Sequence, residues 1–187
     1  MKHFYHGTNM IVGAIDLSKS RSRTDFGKGF YMGSNLEVAR KWAISQSMSV
    51  ETPTVMRYTL SDVVFDSDNA ALKRLWFPAP TEEWLDFVRD NRRILTRGVT
   101  NKEPRHDYDV VYGSIANDKV VDVVDEYMDG VITSEEAIRR IKVIQSVFQM
   151  SFHTPAALAF IDQSLTEYQQ HISNRKWTEW KKVAFEV

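Results

Sequence analysis

The chain has 187 residues, 43% of them hydrophobic and 12% aromatic, which is enough apolar material to fill the interior of one domain. Its 24 Lys and Arg against 25 Asp and Glu give a formal charge of -1, which excludes a global basic field for holding nucleic acid or anionic lipid. The absence of cysteine excludes disulfide stapling, thiol catalysis and cysteine-based metal sites, and points to a reducing, cytosolic compartment.

The first residues carry too short an apolar run for a secretion signal, and no window approaches the roughly 18–20 apolar residues of a membrane span. Residues 3 to 7 read as a short strand broken by Gly7, and residues 13 to 29, rich in Gly, Ser and Arg, as a long loop. Phe30, Tyr31 and Met32 form a second strand. Ser34 with Glu37 spells a capping box, opening a helix to about Ser47 with Leu36, Val38, Ala39, Trp42 and Ala43 on its apolar face. Residues 54 to 65 are extended, 69 to 76 and 81 to 92 short helices, and 109 to 115 a strand.

A helix over 117 to 128 ends at Asp129-Gly130, and Thr133 with Glu136 caps another that runs to about Val143. From Val147 to Phe152 the chain alternates, with Phe148, Met150 and Phe152 on one face and Gln149 on the other. Thr154 and Pro155 then start a helix. The expectation is a single α+β domain over 1–187, with a helical C-terminal extension from about 155 whose Trp177 and Trp180 pack on the body. Those indoles, beside His171, Arg175 and Lys176, could alternatively stack single-stranded bases or dock a partner.

Two segments carry chemistry. Tyr5-His6-Gly7-Thr8 ends the first strand, and Thr24-Asp25-Phe26-Gly27-Lys28-Gly29-Phe30-Tyr31 leads into the second. The second lacks the spacing of a phosphate-binding P-loop or a dinucleotide fingerprint, and taken alone it reads as a hairpin turn. Taken singly, His6 is an ordinary structural histidine, Tyr31 and Trp42 core aromatics, Gln149 an exposed strand polar, and Arg21 and Arg23 solvated loop charges. His153 is expected at the surface and His106 in a charged loop.

Together the two segments resemble the donor site of the diphtheria-toxin-like and poly(ADP-ribose)-polymerase-like ADP-ribosyltransferases. There a strand ending in His-Gly faces a later Phe-Gly-x-Gly-x-Tyr strand. The resemblance implies a split pair of small antiparallel sheets, flanked by helices, that form an NAD cleft. It assigns His6 to a ribose hydroxyl, the Gly7 backbone to the nicotinamide amide and Tyr31 to stacking on the nicotinamide ring. That family's second aromatic, eleven residues on, falls on Trp42. Thr8 and Gly29 complete the cofactor lining, and Arg21 and Arg23 are candidates for the pyrophosphate, which guanidinium binds bidentately.

More broadly the chain is similar to a bacterial family assigned to that fold, which shares the stretch from Thr24 to Trp42, a Tyr-Asp-x-Val-Tyr-Gly segment at Tyr108–Gly113 and a Gln-x-x-Phe-x-Thr segment at Gln149–Thr154. Gln149 thus stands where the usual third residue is Glu, and Ala39 where the polymerases have Ser. Without that carboxylate the resemblance implies transfer of one ADP-ribose to a protein or nucleic-acid acceptor, in a toxin or defence effector with a possible cognate antitoxin and no metal. The alternatives are an NAD glycohydrolase and an inactive module that binds NAD or ADP-ribose.

Overall fold

The structure is a computed structural model and describes residues 2–47, 51–92, 106–116, 118–143, 147–172 and 176–184. It is α+β, with nine strands in an open sheet and five α-helices among the described residues. Strand β1 is Lys2–Thr8 and β2 Phe30–Gly33; helix α1 is Leu36–Gln46, and β3 is Thr54–Leu60. Then come β4 Arg74–Trp76, α2 Glu82–Arg92, β5 Val110–Ser114, α3 Asp118–Met128 and α4 Ser134–Val143. The chain ends with β6 Phe148–Phe152, a single helical turn α5 Pro155–Leu158, β7 Ile161–Ile172, β8 Lys176–Trp177 and β9 Lys181–Lys182. Among the described residues no helix is long and apolar enough to cross a membrane.

The sheet runs β4-β5-β6-β2-β1-β3-β7-β8, with β9 also on β7, and every pair except the parallel β4–β5 is antiparallel. Its middle is thin. β2 pairs with β6 along its whole length and β1 with β3 along its whole length, but β1 and β2 share one register pair, Tyr5 opposite Gly33. The sheet is therefore two half-sheets joined at a seam.

Strand alternation decides what each face buries. Met150 and Phe152 of β6 join Phe4, Phe30, Met32, Met56 and Tyr58 in one core. On the other face Val111 meets Phe26, Phe77 and the apolar sides of α2, α3 and α4. Helix α1 covers the neighbouring half-sheet on that same face, through Ala39 and Ala43 against Val55.

Four expectations need correction. The cap of α1 is Asn35, whose Oδ1 accepts from the Glu37 and Val38 N–H groups, so Ser34 lies one residue outside the helix; Asn is as good a cap as Ser. Residues 74 to 76 are strand, because Trp76 and its neighbours find a parallel partner in β5 that local propensity does not show. The third correction concerns the C-terminal extension, which is not helical. After one turn the chain enters β7, whose polar residues Thr166 and Gln169 are buried where a sequence reading puts them in water. Fourth, Trp177 lies in β8 and Trp180 follows it, yet both indoles pack on the α1 cluster as expected, with Arg57 4.3 Å above the Trp180 ring. Arg175 lies outside the described residues.

Candidate functional site

The seam is where the candidate residues gather. Past Tyr5, β1 has no ladder partner in β2, and the His6 ring fills the gap: its Nδ1 lies 2.7 Å from the Tyr31 carbonyl oxygen. A carbonyl can only accept, so Nδ1 carries the proton and the lone pair of the neutral ring is on Nε2. Burial lowers the His6 pKa, the Arg21 charge pushes the same way and the Tyr31 carbonyl opposes them, so the ring is neutral at pH 7. Its face rests on Phe30, 4.6 Å between centroids.

Gly7 has a packing reason that the sequence did not disclose. A Cβ there would stand 2.2 Å from the Ala39 carbonyl oxygen and 2.9 Å from the Ala43 nitrogen, so α1 crosses β1 where no side chain fits. The hydroxyl that Ala39 lacks therefore lies on a helix turn already pressed against the strand. Thr8 ends β1 opposite Thr54 and is half-buried.

Across the seam, the Tyr31 hydroxyl is tied into the loop ahead of its strand. It donates to the Gly27 carbonyl at 2.6 Å and accepts from the Phe26 N–H at 3.0 Å, with Thr24 Oγ1 at 2.9 Å. Burial raises its pKa far out of the physiological range, so Tyr31 contributes a ring and no proton. Gly27 takes φ 82°, a conformation natural to glycine, and a Cβ on Gly29 would meet the His153 ring at 2.7 Å. Thus the two glycines have separate causes, a turn and a close approach.

Gln149 pairs with Gly33, and Tyr31 with Ser151, so Tyr31 and Gln149 are diagonal neighbours on one face, roughly 7–8 Å apart in such pairs. The Gln149 side chain, 9% exposed, donates from Nε2 to Asp25 Oδ2 at 2.7 Å, and its Oε1 has no partner among the described residues. Asp25 is 5% exposed and the hub of the site: Oδ2 also accepts from the Ala116 N–H at 2.9 Å, and Oδ1 takes the Arg92 guanidinium at 2.6 and 2.9 Å.

Trp42 stands on α1 with 53% of its surface exposed, so its ring is open to a ligand. Arg21 and Arg23 are exposed and form no ion pair among the described residues, and Arg23 adopts φ 61°, a left-handed backbone uncommon for a side-chain-bearing residue. The structure therefore sets Tyr31 and Gln149 diagonally on one face, joins His6 to Tyr31 through its backbone carbonyl, and leaves Trp42, Arg21 and Arg23 exposed.

Sequence reasoning missed Asp25, Arg92 and the histidine pair beneath the loop. His153 is buried rather than at the surface: Nδ1 donates to the Lys28 carbonyl at 2.9 Å, and Nε2 accepts from the Ser151 hydroxyl at 2.8 Å. Burial pushes its pKa down to about 4. His106, half-buried, donates to the Phe26 carbonyl at 2.9 Å and meets the His153 ring edge to face at 4.6 Å. The signal for His153 was present in the alternation, which puts 149, 151 and 153 on the inner face. Asp25 gave no such signal, since its partners are 67, 91 and 124 residues away.

A family model described as a protein of unknown function, DUF3990, matches residues 2–162. No curated protein and no solved structure matches the chain.

Proposed function

The chain belongs to the DUF3990 family, and on that premise we propose that it is an NAD-dependent mono-ADP-ribosyltransferase working at the seam between β1 and β2. The observation that carries the reading is Gln149: its amide nitrogen is held by Asp25, its oxygen has no partner among the described residues, and it shares a sheet face with its diagonal neighbour Tyr31. In this reading nicotinamide stacks between Tyr31 and Trp42, the lone pair on His6 Nε2 accepts from a ribose hydroxyl, Gly7, Thr8 and Gly29 line the cofactor, and Arg21 and Arg23 meet the pyrophosphate.

The bond between the nicotinamide nitrogen and ribose C1 breaks heterolytically, and its electron pair leaves with neutral nicotinamide. The ribosyl centre becomes oxocarbenium-like, and an acceptor nucleophile bonds to C1 and gives up its proton. Gln149 Oε1 accepts from the adjacent ribose hydroxyl, an interaction that strengthens as positive charge develops. An amide cannot serve as a base, so the chemistry stops at one ADP-ribose on a nucleophile that loses its own proton to solvent.

The test is NAD binding by calorimetry together with nicotinamide release, with and without candidate protein and nucleic-acid acceptors. Gln149→Ala is expected to lower turnover more than affinity, and His6→Ala to weaken NAD several-fold. Absence of both NAD binding and nicotinamide release overturns the reading; release with all label in free ADP-ribose converts it to a glycohydrolase; a ladder of polymer contradicts single transfer.

A further inference from the structure

We infer that Asp25 is a positioning residue that makes Gln149 the working side chain of this cleft and bars Glu from the position. The inference rests on the reading of the seam just given and concerns how its third residue is held.

Asp25 is surrounded by donors. Arg92 gives two N–H groups to Oδ1, while the Ala116 N–H and the Gln149 amide converge on Oδ2. The buried Asp25 side chain thus accepts four hydrogen bonds, two of them from a guanidinium. Its lone pairs are occupied, so it is no general base for an acceptor. What it can do is impose polarity: facing an acceptor oxygen, the Gln149 amide must present NH2, and the oxygen is turned the other way. An unconstrained amide would populate both flips, only one of which offers an acceptor.

The same geometry excludes Glu. A carboxylate at 149 would put an acceptor oxygen about 2.7 Å from Asp25 Oδ2, where the Gln149 amide now donates, so the bond is lost and the strand must shift. The missing carboxylate of the third position is thus matched by one already present on the loop, with an amide between it and the ligand. Exchanging the two groups, Asp25→Asn with Gln149→Glu, restores a donor–acceptor pair between the two positions. The amide nitrogen that replaces Oδ2 leaves the Ala116 N–H without its acceptor and the Arg92 guanidinium without its carboxylate, so the rescue is partial.

The experiment uses the full chain as wild type, Asp25→Asn, Gln149→Glu and the double exchange, read by thermal melting, NAD calorimetry and nicotinamide release. Gln149→Glu alone is expected to melt several degrees lower, and the double exchange to recover part of that loss. Asp25→Asn is expected to lower kcat roughly 10-fold or more with the Kd for NAD changed less than about 3-fold, because the amide loses its orientation and not its bulk. Additive melting effects in the double exchange overturn the inference, and so does full kcat in Asp25→Asn. If the wild type binds no NAD, the reading of the cleft fails by itself, and the Asp25–Gln149 pairing stands or falls on the melting cycle. Should Asp25→Asn not fold, the Gln149 side-chain amide protons, assigned by their loss in Gln149→Ala, are expected to exchange slowly with solvent in the wild type. Solvent-like exchange overturns the pairing.

Discussion

The two half-sheets hold their candidate residues by different physics. On the β2–β6 side Gln149, Tyr31 and the loop ahead of β2 are fixed by directional bonds: Asp25 collects four donors, the Tyr31 hydroxyl is tied to Gly27 and Phe26, and His153 grips the Lys28 carbonyl. On the β1–β3 side His6 has a single hydrogen bond, and the architecture depends on shape, with α1 seated in the space that Gly7 leaves. Buried polar atoms without a partner among the described residues occur behind both halves: Tyr58 Oη, Thr166 Oγ1, Gln169 Nε2 and Arg40 Nε on this side, and Trp84 Nε1, Asn91 Oδ1 and Ser114 Oγ on the other. A network sets angles, whereas packing sets distances. The side that must aim an amide has the network, and the side that must bring a backbone close has the packing.

The sharpest way to break this contrast is to intrude on the packed half. Gly7→Ala puts a methyl 2.2 Å from a backbone oxygen of α1, which neither element can yield cheaply, and should cost about 3 kcal/mol or more in urea unfolding. A loss under about 0.5 kcal/mol would mean that α1 is not seated on the strand at Gly7.

The networked half should fail to acid. Burial lowers the His153 pKa to about 4 in the fold, against an ordinary histidine value near 6.5 in the unfolded chain, and His106 is lowered in the same direction by burial. Below the ordinary value the unfolded state takes up protons that the native state refuses, so stability is full above about pH 6.5 and is lost as pH falls toward 4. The His153 share of that loss is of order 2–3 kcal/mol. His106, whose proton would add to the repulsion, and Asp109, which opposes it, are the charged groups that act on this ring. Melting curves from pH 8 to 4 should slope downward, and His153→Gln should flatten the slope. A profile unchanged by that substitution would remove His153 from the account.

The smallest effect is expected at the edge of the packed half. Trp177→Ala removes an indole that is only half-buried and carries Arg40 5.3 Å from its ring, and should lower the melting temperature by a few degrees. The His171 ring, which meets Trp177 edge to face at 5.3 Å, loses its partner in the same variant. An unchanged melt together with lost partner binding would make the tail a docking surface instead.

What the sequence disclosed follows the same division. Periodicity and caps located most strands and helices, and the alternation of β6 gave the face of Gln149, because these are local properties of the chain. Residues 74 to 76 and the long strand β7 were misread, because their partners across the sheet decide them and their own polarity argues for water. At the site the motif residues were legible, whereas the group that orients Gln149 was not. Asp25 reads as a turn residue until the chain closes on it.

That closure has a consequence for biosynthesis. The ligands of Asp25 come from α2, the segment just after β5, and β6, the last of them 124 residues downstream. No fragment that stops short of β6 contains the amide, and a chain emerging from the ribosome carries its loop and both glycine motifs long before it carries Gln149. Contacts at such separations form late, after the entropy of closing the intervening loops has been met. The activity proposed for the seam would accordingly switch on only when most of the sheet is in place.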